Sequence, residues 1–360
     1  MAFSQRYLKG TKIMNEPDIK SMYADELTAL LEKLGEKSFR AKQIFSWLHE
    51  KNVCSYEEMT NISDKLKNTL KKEYPIASLL EVDCLTSKKD GTRKFLFELS
   101  DGNVIESVWM KYHHGNSVCI SSQVGCAMGC RFCASTIGGK LRSLAASEML
   151  EQIYKIKRIT GERISNIVIM GTGEPFDNYD NLIRFIRLVT DEKGLNISIR
   201  NITVSTCGLV PQMYRFAEEK LPVTLAVSLH ASNDETRKKL MPIANRYTIK
   251  EVVDAARNYY EKTGRRVTFE YALVRGQNDS EKTAEELSTV LRGFPCHVNL
   301  IPVNPVTERN FKPTHHEETV NFQNKLEKNR INVTIRREMG GDINGACGQL
   351  RKSYIAKSTN

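Results

Sequence analysis

Hydrophobic and polar residues follow two different periods along the chain. Between about residues 20 and 75, apolar side chains recur at the three- and four-residue spacing of amphipathic helices, with Lys and Glu between them. This segment predicts a small helical domain. From about residue 80 to 123, Asp-Gly and His-Gly turn signals separate short strand-like runs, which predict antiparallel strands. These runs are TRKFLFEL, NVIESVWMKY and SVCISSQ.

After about residue 147, helix-like and strand-like segments alternate to near the end of the chain. Alternation of this kind predicts a parallel sheet or barrel, with the working site at the carboxyl ends of the strands. The β/α units are too few for a closed eight-stranded barrel. The predicted strands are NIVIM, NITVS, VTLAVSLH, RVTFEYAL, HVNLIPV and INVTIRRE, and the clearest helices cover about 147–160, 179–191 and 315–328.

The fold class predicted is therefore α/β, with the chain divided into four parts. We expect a helical accessory domain at 1–78, an antiparallel strand linker at 79–116, a barrel core at 117–335 and a Gly-rich tail at 336–360. A chain of 360 residues is long enough to bury a large core in one major domain.

The charge balance favours a polyanionic partner, because 53 Lys and Arg residues oppose 43 Asp and Glu residues, giving a formal charge of +10. No apolar run approaches the roughly 18 residues that span a bilayer, and the first residues lack the apolar core of a secretion signal. We therefore predict a cytoplasmic protein without a membrane partner.

Nine cysteines in a cytoplasmic chain are not a disulfide framework, because thiols stay reduced there. Cys126, Cys130 and Cys133 form a tight CxxxCxxC triplet, and six others are scattered. A tetrahedral zinc ion needs four ligands, and the nearest histidines, His113 and His114, stand well before the triplet. Three cysteines better suit a 4Fe-4S cluster with one iron open to a small molecule. Zinc and a chance apolar grouping stay as alternatives.

A second motif, Met170 to Asn178, follows the strand NIVIM directly. Glycine at Gly173 lets the backbone approach a ligand, and the Glu174 carboxylate can hold an ammonium group. An ordinary strand-to-helix turn is the alternative reading. Further residues follow or close other strands, where each one alone can be a turn residue or a helix cap. They are Ser205, Ser228, Leu229, His230 and Asn304.

The CxxxCxxC spacing ahead of β/α alternation resembles the radical S-adenosylmethionine superfamily, and the order of the motifs resembles the RlmN/Cfr enzymes, which methylate adenosine in RNA. The resemblance covers nearly the whole chain and implies a partial (β/α)6 barrel with a helical N-terminal domain and a functional tail. The motifs that carry it are CISSQVGCAMGCRFCAS, IVIMGTGEPFDNYDN, ITVSTCG, VSLHASND, KKLMPIANRY, HVNLIPVNP and IRREMGGDINGACGQL.

The resemblance also implies roles for single residues. Cys347 is expected to accept a methyl group from one S-adenosylmethionine, while a second S-adenosylmethionine supplies a 5'-deoxyadenosyl radical. Glu106 is expected to remove the ring proton, and Cys119 to release the product by forming a disulfide with Cys347. Taken alone, Glu106 can equally be a solvent-facing strand residue and Cys119 a core cysteine. The implied cluster ligands are Cys126, Cys130 and Cys133, and the implied S-adenosylmethionine site is Gly173, Glu174, Ser205, Ser228, Leu229, His230 and Asn304.

The family acts on carbon 2 or, in its antibiotic-resistance branch, on carbon 8 of adenine. The pair Glu174-Pro175 resembles the carbon 2 branch, so we expect methylation of 23S rRNA at the peptidyl transferase centre and of tRNA beside the anticodon. Carbon 8 methylation, activation of another protein and a zinc-binding RNA module remain alternatives. A flavodoxin-type reductant and a monomeric state are also expected. Basic clusters near the helical domain and the tail are favoured for RNA; the clusters are Lys65 to Lys72, Lys88 to Lys94, Arg237 to Lys239, Arg336 with Arg337, and Arg351 with Lys352.

Overall fold

The computed structural model describes residues 18–113, 115–304, 306, 308–337 and 339–343. The chain divides into two compact units, and the boundary lies between Ala77 and Ser78. No helix of the described ranges is long and apolar enough to cross a membrane.

The first unit is helical, as the periodicity predicted. Its helices bury one apolar face each, with Leu27, Leu31, Ile44 and Leu48 inaccessible to solvent. The first helix begins where the Glu26 carboxylate accepts a hydrogen bond from the main-chain N–H of Tyr23 at 2.8 Å, which satisfies a free N-terminal donor. The three helices are α1 (Ala24–Lys33), α2 (Phe39–His49) and α3 (Asp64–Glu73).

The second unit opens with four strands, each antiparallel to the one before it. Three of them match predicted runs, whereas the first was missed. Its residues LEVDCLT are half-exposed and carry two acidic side chains, so they show no clear apolar run. The strands are β1 (Leu80–Thr86), β2 (Arg93–Glu98), β3 (Val104–Tyr112) and β4 (Gly115–Cys119).

A small antiparallel pair, which the sequence pattern did not predict, follows β4. Its strands β5 (Gln123–Gly125) and β6 (Lys140–Ser143) enclose the segment that contains the three clustered cysteines. Helix α4 (Ala146–Thr160) comes next and ends at Gly161, whose φ of 66° is the left-handed conformation that suits glycine at a helix end.

The rest of the unit alternates strands and helices. Two helices lie between its third and fourth strands, where the pattern predicted one. The elements are β7 (Ile164–Ile169), α5 (Tyr179–Thr190), β8 (Ile202–Thr206), α6 (Val210–Glu218), β9 (Thr224–Ser228), α7 (Asp234–Leu240), α8 (Ile249–Thr263), β10 (Val267–Leu273), α9 (Glu281–Val290), β11 (Cys296–Pro302), α10 (His316–Lys328) and β12 (Asn332–Ile335).

All large strands form one open ten-stranded sheet in the order β1-β2-β3-β4-β7-β8-β9-β10-β11-β12. Every pair from β4 and β7 to β11 and β12 is parallel, which makes six β/α units and a final strand. This arrangement confirms the predicted α/β class and the partial barrel. The predicted boundary between residues 116 and 117 falls within β4, which pairs antiparallel with β3 and parallel with β7.

Candidate active site

The carboxyl ends of β4 and β7 are joined by a network of hydrogen bonds. The Gly171 N–H donates to the Ile120 carbonyl at 3.0 Å, and the Ser122 N–H donates to the Thr172 carbonyl at 2.9 Å. The Ser121 hydroxyl accepts from the Thr172 N–H at 3.0 Å and donates to the Glu106 carbonyl at 2.7 Å. The network fixes residues 171–174, the glycine turn, against the segment that leads to the cysteines.

Glycine is required sterically at two positions of the glycine turn. A Cβ at Gly171 would lie 2.7 Å from the Ile120 carbonyl oxygen, which is main chain and cannot rotate away. Gly173 has a φ of +114°, and a Cβ there would lie 2.7 Å from Cβ of Gln123. Both glycines thus allow two segments of the protein to lie close together, and the approach of a ligand to this motif stays a prediction.

The Glu174 side chain is buried and uses both oxygens on the main chain. Its carboxylate accepts from the Phe176 N–H at 3.0 Å and from the Cys207 N–H at 2.7 Å, joining the ends of β7 and β8. Burial raises the pKa of Glu174, and these hydrogen bonds oppose the rise. Glu174 therefore supports the turn, and its contact with an ammonium group stays a prediction.

Two amides that the sequence analysis did not single out complete this frame. The Gln123 side chain accepts from the Glu174 N–H at 2.9 Å and donates to the Asp177 carboxylate at 2.9 Å. The Asn178 amide donates to the carbonyls of Ser122 and Leu144 at 2.9 and 2.7 Å. Both residues lie inside the quoted family motifs. Their position in those motifs was the only sequence signal that could have identified them as part of the site.

Residues 126–133, the cysteine loop, form few regular hydrogen bonds. The Cys126 N–H donates to the Gly139 carbonyl at 3.0 Å, and the Cys133 N–H to the Cys130 carbonyl at 3.1 Å. The Thr136 hydroxyl donates to the carbonyls of Cys130 and Cys133 at 3.1 and 2.9 Å. Cys126 is buried, while Cys130 and Cys133 are partly exposed, so this loop brings three thiols to an accessible edge.

The donor set of the cysteine loop suits an iron-sulfur centre, because cysteine thiolates hold the irons of such clusters. Within the described ranges, no group of three His, Cys, Asp or Glu side chains is arranged to hold a single metal ion. Burial raises the pKa of Cys126 to about 12 and also raises that of Cys130, with nearby thiolates and Glu174 adding to both shifts. A bound cation offsets this repulsion.

His230 lies against the cysteine loop. Its ring meets Phe132 edge to face with centroids 4.9 Å apart, and its Nδ1 accepts from the Ala272 N–H at 2.8 Å. Burial, with the nearby Arg237 cation, lowers the pKa of His230 to about 3, so the ring is neutral. The end of β9, where Ser228, Leu229 and His230 follow one another, therefore lies beside the cysteines.

Two other predicted site residues lie near the carboxyl ends of their strands. Ser205 is half-buried within β8, opposite Ala226 of β9, and Asn304 is exposed two residues after the end of β11. Cys347 lies outside the described residues.

Glu106 and Cys119 share one face of the sheet. Val108 of β3 pairs directly with Cys119 of β4, and Glu106 lies two residues from Val108, so its side chain points to the same side. Such diagonal neighbours are about 7–8 Å apart. Glu106 is buried rather than solvent-facing, and Cys119 is partly exposed.

Two residues of the basic clusters are not surface residues. Lys94 is only 1% exposed and pairs with Val108, and Arg237 is fully buried. Neither belongs to the exposed surface of this structure. A run of basic residues in a sequence does not reveal which of them the fold buries.

Comparison with known proteins decides the family. Residues 120–287 match the model of the radical SAM superfamily, and residues 18–76 match the N-terminal domain of ribosomal RNA large subunit methyltransferases. A probable dual-specificity RNA methyltransferase RlmN of Lachnoclostridium phytofermentans is 61% identical over 96% of this chain and 97% of its own length. The chain belongs to the RlmN family. The family resemblance drawn from the motifs is thereby confirmed.

Other RlmN relatives agree. The protein of the same description from Lachnospira eligens is 62% identical over 94% of this chain and 97% of its own length. A crystal structure of a radical SAM methyltransferase from Sphaerobacter thermophilus has a TM-score of 0.89 and 43% identity, covering 93% of this chain and 99% of that one. Membership of the RlmN family makes this chain a radical SAM RNA methyltransferase, and the superfamily implies a 4Fe-4S cluster and S-adenosylmethionine. The zinc module and the protein-activating enzyme are set aside.

Proposed function

We propose that this chain methylates carbon 2 of adenosine in 23S rRNA at the peptidyl transferase centre and in tRNA next to the anticodon. The observation that carries the proposal is the placement of Glu106 and Cys119 on one face, beside the carboxyl edge that holds the cysteine loop. A carboxylate and a thiol in such proximity suit removal of a ring proton followed by release of a sulfur-bound product. High identity to proteins described as dual-specificity methyltransferases supports the two substrates.

The proposed metal site consists of Cys126, Cys130 and Cys133, with S-adenosylmethionine bound along the ends of the neighbouring strands. When bound, the cluster and S-adenosylmethionine supply a 5'-deoxyadenosyl radical. The protein contributes a rigid edge at the glycine turn and a neutral His230 that packs on Phe132. The S-adenosylmethionine site proposed is Gly173, Glu174, Ser205, Ser228, Leu229, His230 and Asn304.

The protein residues divide the transfer into steps. The Cys347 sulfur forms a bond to the methyl carbon of one S-adenosylmethionine, and S-adenosylhomocysteine leaves. The methyl group gives one hydrogen atom to the 5'-deoxyadenosyl radical, which becomes 5'-deoxyadenosine, and the methylene carbon bonds to carbon 2 of adenine. The ring then loses one electron to a one-electron acceptor and its proton to Glu106. The Cys119 thiolate then attacks the Cys347 sulfur, so the carbon–sulfur bond breaks and a disulfide forms. The methylene carbon acquires a proton and remains on the base as the methyl group.

The helical unit is proposed as an RNA-binding accessory domain. The match of residues 18–76 to the N-terminal domain of ribosomal RNA methyltransferases supports this role. A flavodoxin-type protein is the proposed electron donor, and a monomer is the proposed state.

The central test is nucleoside mass spectrometry after incubation of the reconstituted protein with S-adenosylmethionine, a reductant and unmodified 23S rRNA or tRNA. We expect 2-methyladenosine from both RNAs. Formation of 8-methyladenosine would place the chain in the resistance branch, and failure with tRNA would limit the substrates to rRNA.

Cysteine variants test the residue roles separately. Cys347→Ala should abolish methylation, whereas Cys54→Ala, which changes an exposed cysteine of the helical unit, should leave it intact. Cys119→Ala and Glu106→Gln should both accumulate protein joined covalently to RNA, visible as a shifted band. Methylation by Cys347→Ala would contradict the mechanism.

A further inference from the structure

Arg237 on α7 is a fully buried cation whose hydrogen bonds all go to main-chain carbonyls in the described part of the chain. Its Nε donates to Leu229 at 3.2 Å, and its Nη1 donates to Tyr247 at 3.3 Å. Its Nη2 donates to Cys207 at 2.8 Å and to Ser228 at 3.3 Å. One side chain thus joins the ends of β8 and β9 to the segments on either side of α7.

The described residues around Arg237 offer its charge no direct ion pair. Within the described residues, no carboxylate lies within ion-pair distance of its guanidinium, and the Asp234 carboxylate one turn earlier accepts from the Ile249 N–H at 2.7 Å. Burial of a cation without an ionic partner destabilises a folded protein. Gly208, whose Cβ position lies 3.2 Å from Nη2 of Arg237, lets the chain pass close to the guanidinium. A side chain that only filled space here would not need a charge, whose burial carries a desolvation cost.

The cysteine loop rests on the segment that Arg237 fixes. The Arg131 N–H donates to the carbonyl of Leu240, the last residue of α7, at 2.9 Å. The Cβ position of Gly129 lies 3.4 Å from the Pro242 ring, immediately beyond that helix. Arg237 lies one turn before Leu240. Its carbonyl bonds therefore hold the support on which the three cysteines are arranged.

The guanidinium of Arg237 also lies near the cysteine loop. Its Nε donates to the carbonyl of Leu229, and the next residue, His230, packs its ring against Phe132 of the loop. Three thiolates around an iron-sulfur centre bring negative charge to this edge, and one-electron reduction adds one more. A nearby cation in a region poor in water stabilises the added charge.

We propose that Arg237 is a positioning residue for the iron-sulfur centre, holding the cysteine loop in place and favouring the reduced state through its charge. The inference rests on the cluster site of the proposed function. It adds a residue outside the cysteine triplet that governs how readily the centre accepts an electron from an external one-electron donor.

The test compares two charge-removing substitutions on α7 in the full-length reconstituted protein. Arg237→Gln should lower the ratio of reduced to oxidised cluster at a fixed potential by about tenfold, which is ~59 mV for a one-electron couple. Lys239→Gln removes an exposed cation two residues away, paired with Glu235, and should leave the ratio unchanged. Dithionite titration followed by electron paramagnetic resonance measures both. An unchanged ratio in Arg237→Gln would overturn the role of the charge.

Arg237→Lys keeps the positive charge but loses most of the hydrogen bonds to carbonyls, so it tests the two roles separately. It also provides the test if Arg237→Gln assembles no cluster. It should keep the ratio within about twofold of the parent but lose iron to a chelator about tenfold faster, because an ammonium cannot reach four carbonyls. Iron retention equal to the parent would overturn the positioning role, and a ratio shifted by tenfold would overturn the charge role. Neither measurement uses RNA. A protein that passes both but makes no 2-methyladenosine would refute the proposed function and leave this inference standing.

Discussion

The glycine turn and the cysteine loop both occupy the carboxyl edge of the sheet, yet they are built in opposite ways. In the glycine turn, the N–H groups of Gly171, Thr172 and Glu174 all bond to the segment after β4. In the cysteine loop, Arg131 bonds to the end of α7, and much of the remaining bonding is within the loop or to residues just beyond it. Bonds to a neighbouring segment of the protein fix the glycine turn, whereas under the proposed function a bound iron-sulfur centre completes the cysteine loop.

The largest expected effect comes from the cysteine loop. Cys130→Ala should abolish iron binding and methylation, because the centre loses one of three ligands. The free energy of unfolding of the iron-free protein should change by less than about 1 kcal/mol, because Cys130 is partly exposed there. Iron content, methylation and chemical denaturation measure these effects. Retention of iron would show that the triplet is not the site.

The glycine turn should show the reverse behaviour. Gly171→Ala places a Cβ against the Ile120 carbonyl and should destabilise even the iron-free protein by about 2–3 kcal/mol.

Gly138→Ala, near the cysteines, is the matched control. Its Cβ position meets no atom within 4 Å, so stability should rise slightly or stay constant. Chemical denaturation measures both variants. If Gly171→Ala and Gly138→Ala had equal free energies of unfolding, the glycine turn would not be more sterically constrained than the segment near the cysteines.

A smaller loss is expected from Glu174→Gln. The new amide group would face a main-chain donor where the carboxylate accepts two hydrogen bonds, so the free energy of unfolding should fall by about 1–3 kcal/mol. Glu162→Gln, which changes an exposed carboxylate 3.4 Å from Lys111, is the control and should stay within experimental error. If both variants unfold alike, Glu174 does not support the turn.

The smallest effect concerns an ion pair between the segment that follows the cysteine loop and the segment that follows the glycine turn. Lys140 on β6 contacts the Asp177 carboxylate at 2.6 Å, and that carboxylate also accepts from Gln123. Lys140→Met should destabilise the protein by no more than about 1 kcal/mol, because both groups are partly exposed. The loss should shrink at 1 M salt. A loss that is larger, or independent of salt, would indicate that the regions depend on each other more than the hydrogen bonds suggest.

The sequence predicted the fold well where apolar periodicity was strong. The strand NITVS and the helix at 147–160 lie within one residue of their observed bounds. The half-exposed β1 and the short β5–β6 pair were missed because neither has a continuous apolar run. Local patterns also could not divide the segment between β9 and β10 into two helices.

The site was predictable only where chemistry is encoded locally. The cysteine triplet was evident from spacing, whereas the proximity of Glu106 and Cys119 depends on the register between β3 and β4. The buried position of Arg237 depends on packing, which a run of charges does not report. Motif reading therefore proposed candidate reactive groups, but it placed Arg237 in a basic cluster and could not show that this residue is buried.

Strand β4 has a consequence for the order in which the second unit folds. Its pairing with β3 closes a very short loop, but its pairing with β7 must bring together residues more than 40 positions apart. Closing short loops costs less chain entropy and is faster. The antiparallel strands should therefore assemble while later strands are still being synthesised, presenting β4 as a template for the first parallel strand. We expect hydrogen-exchange protection during refolding to arise in β2–β4 before β8–β11.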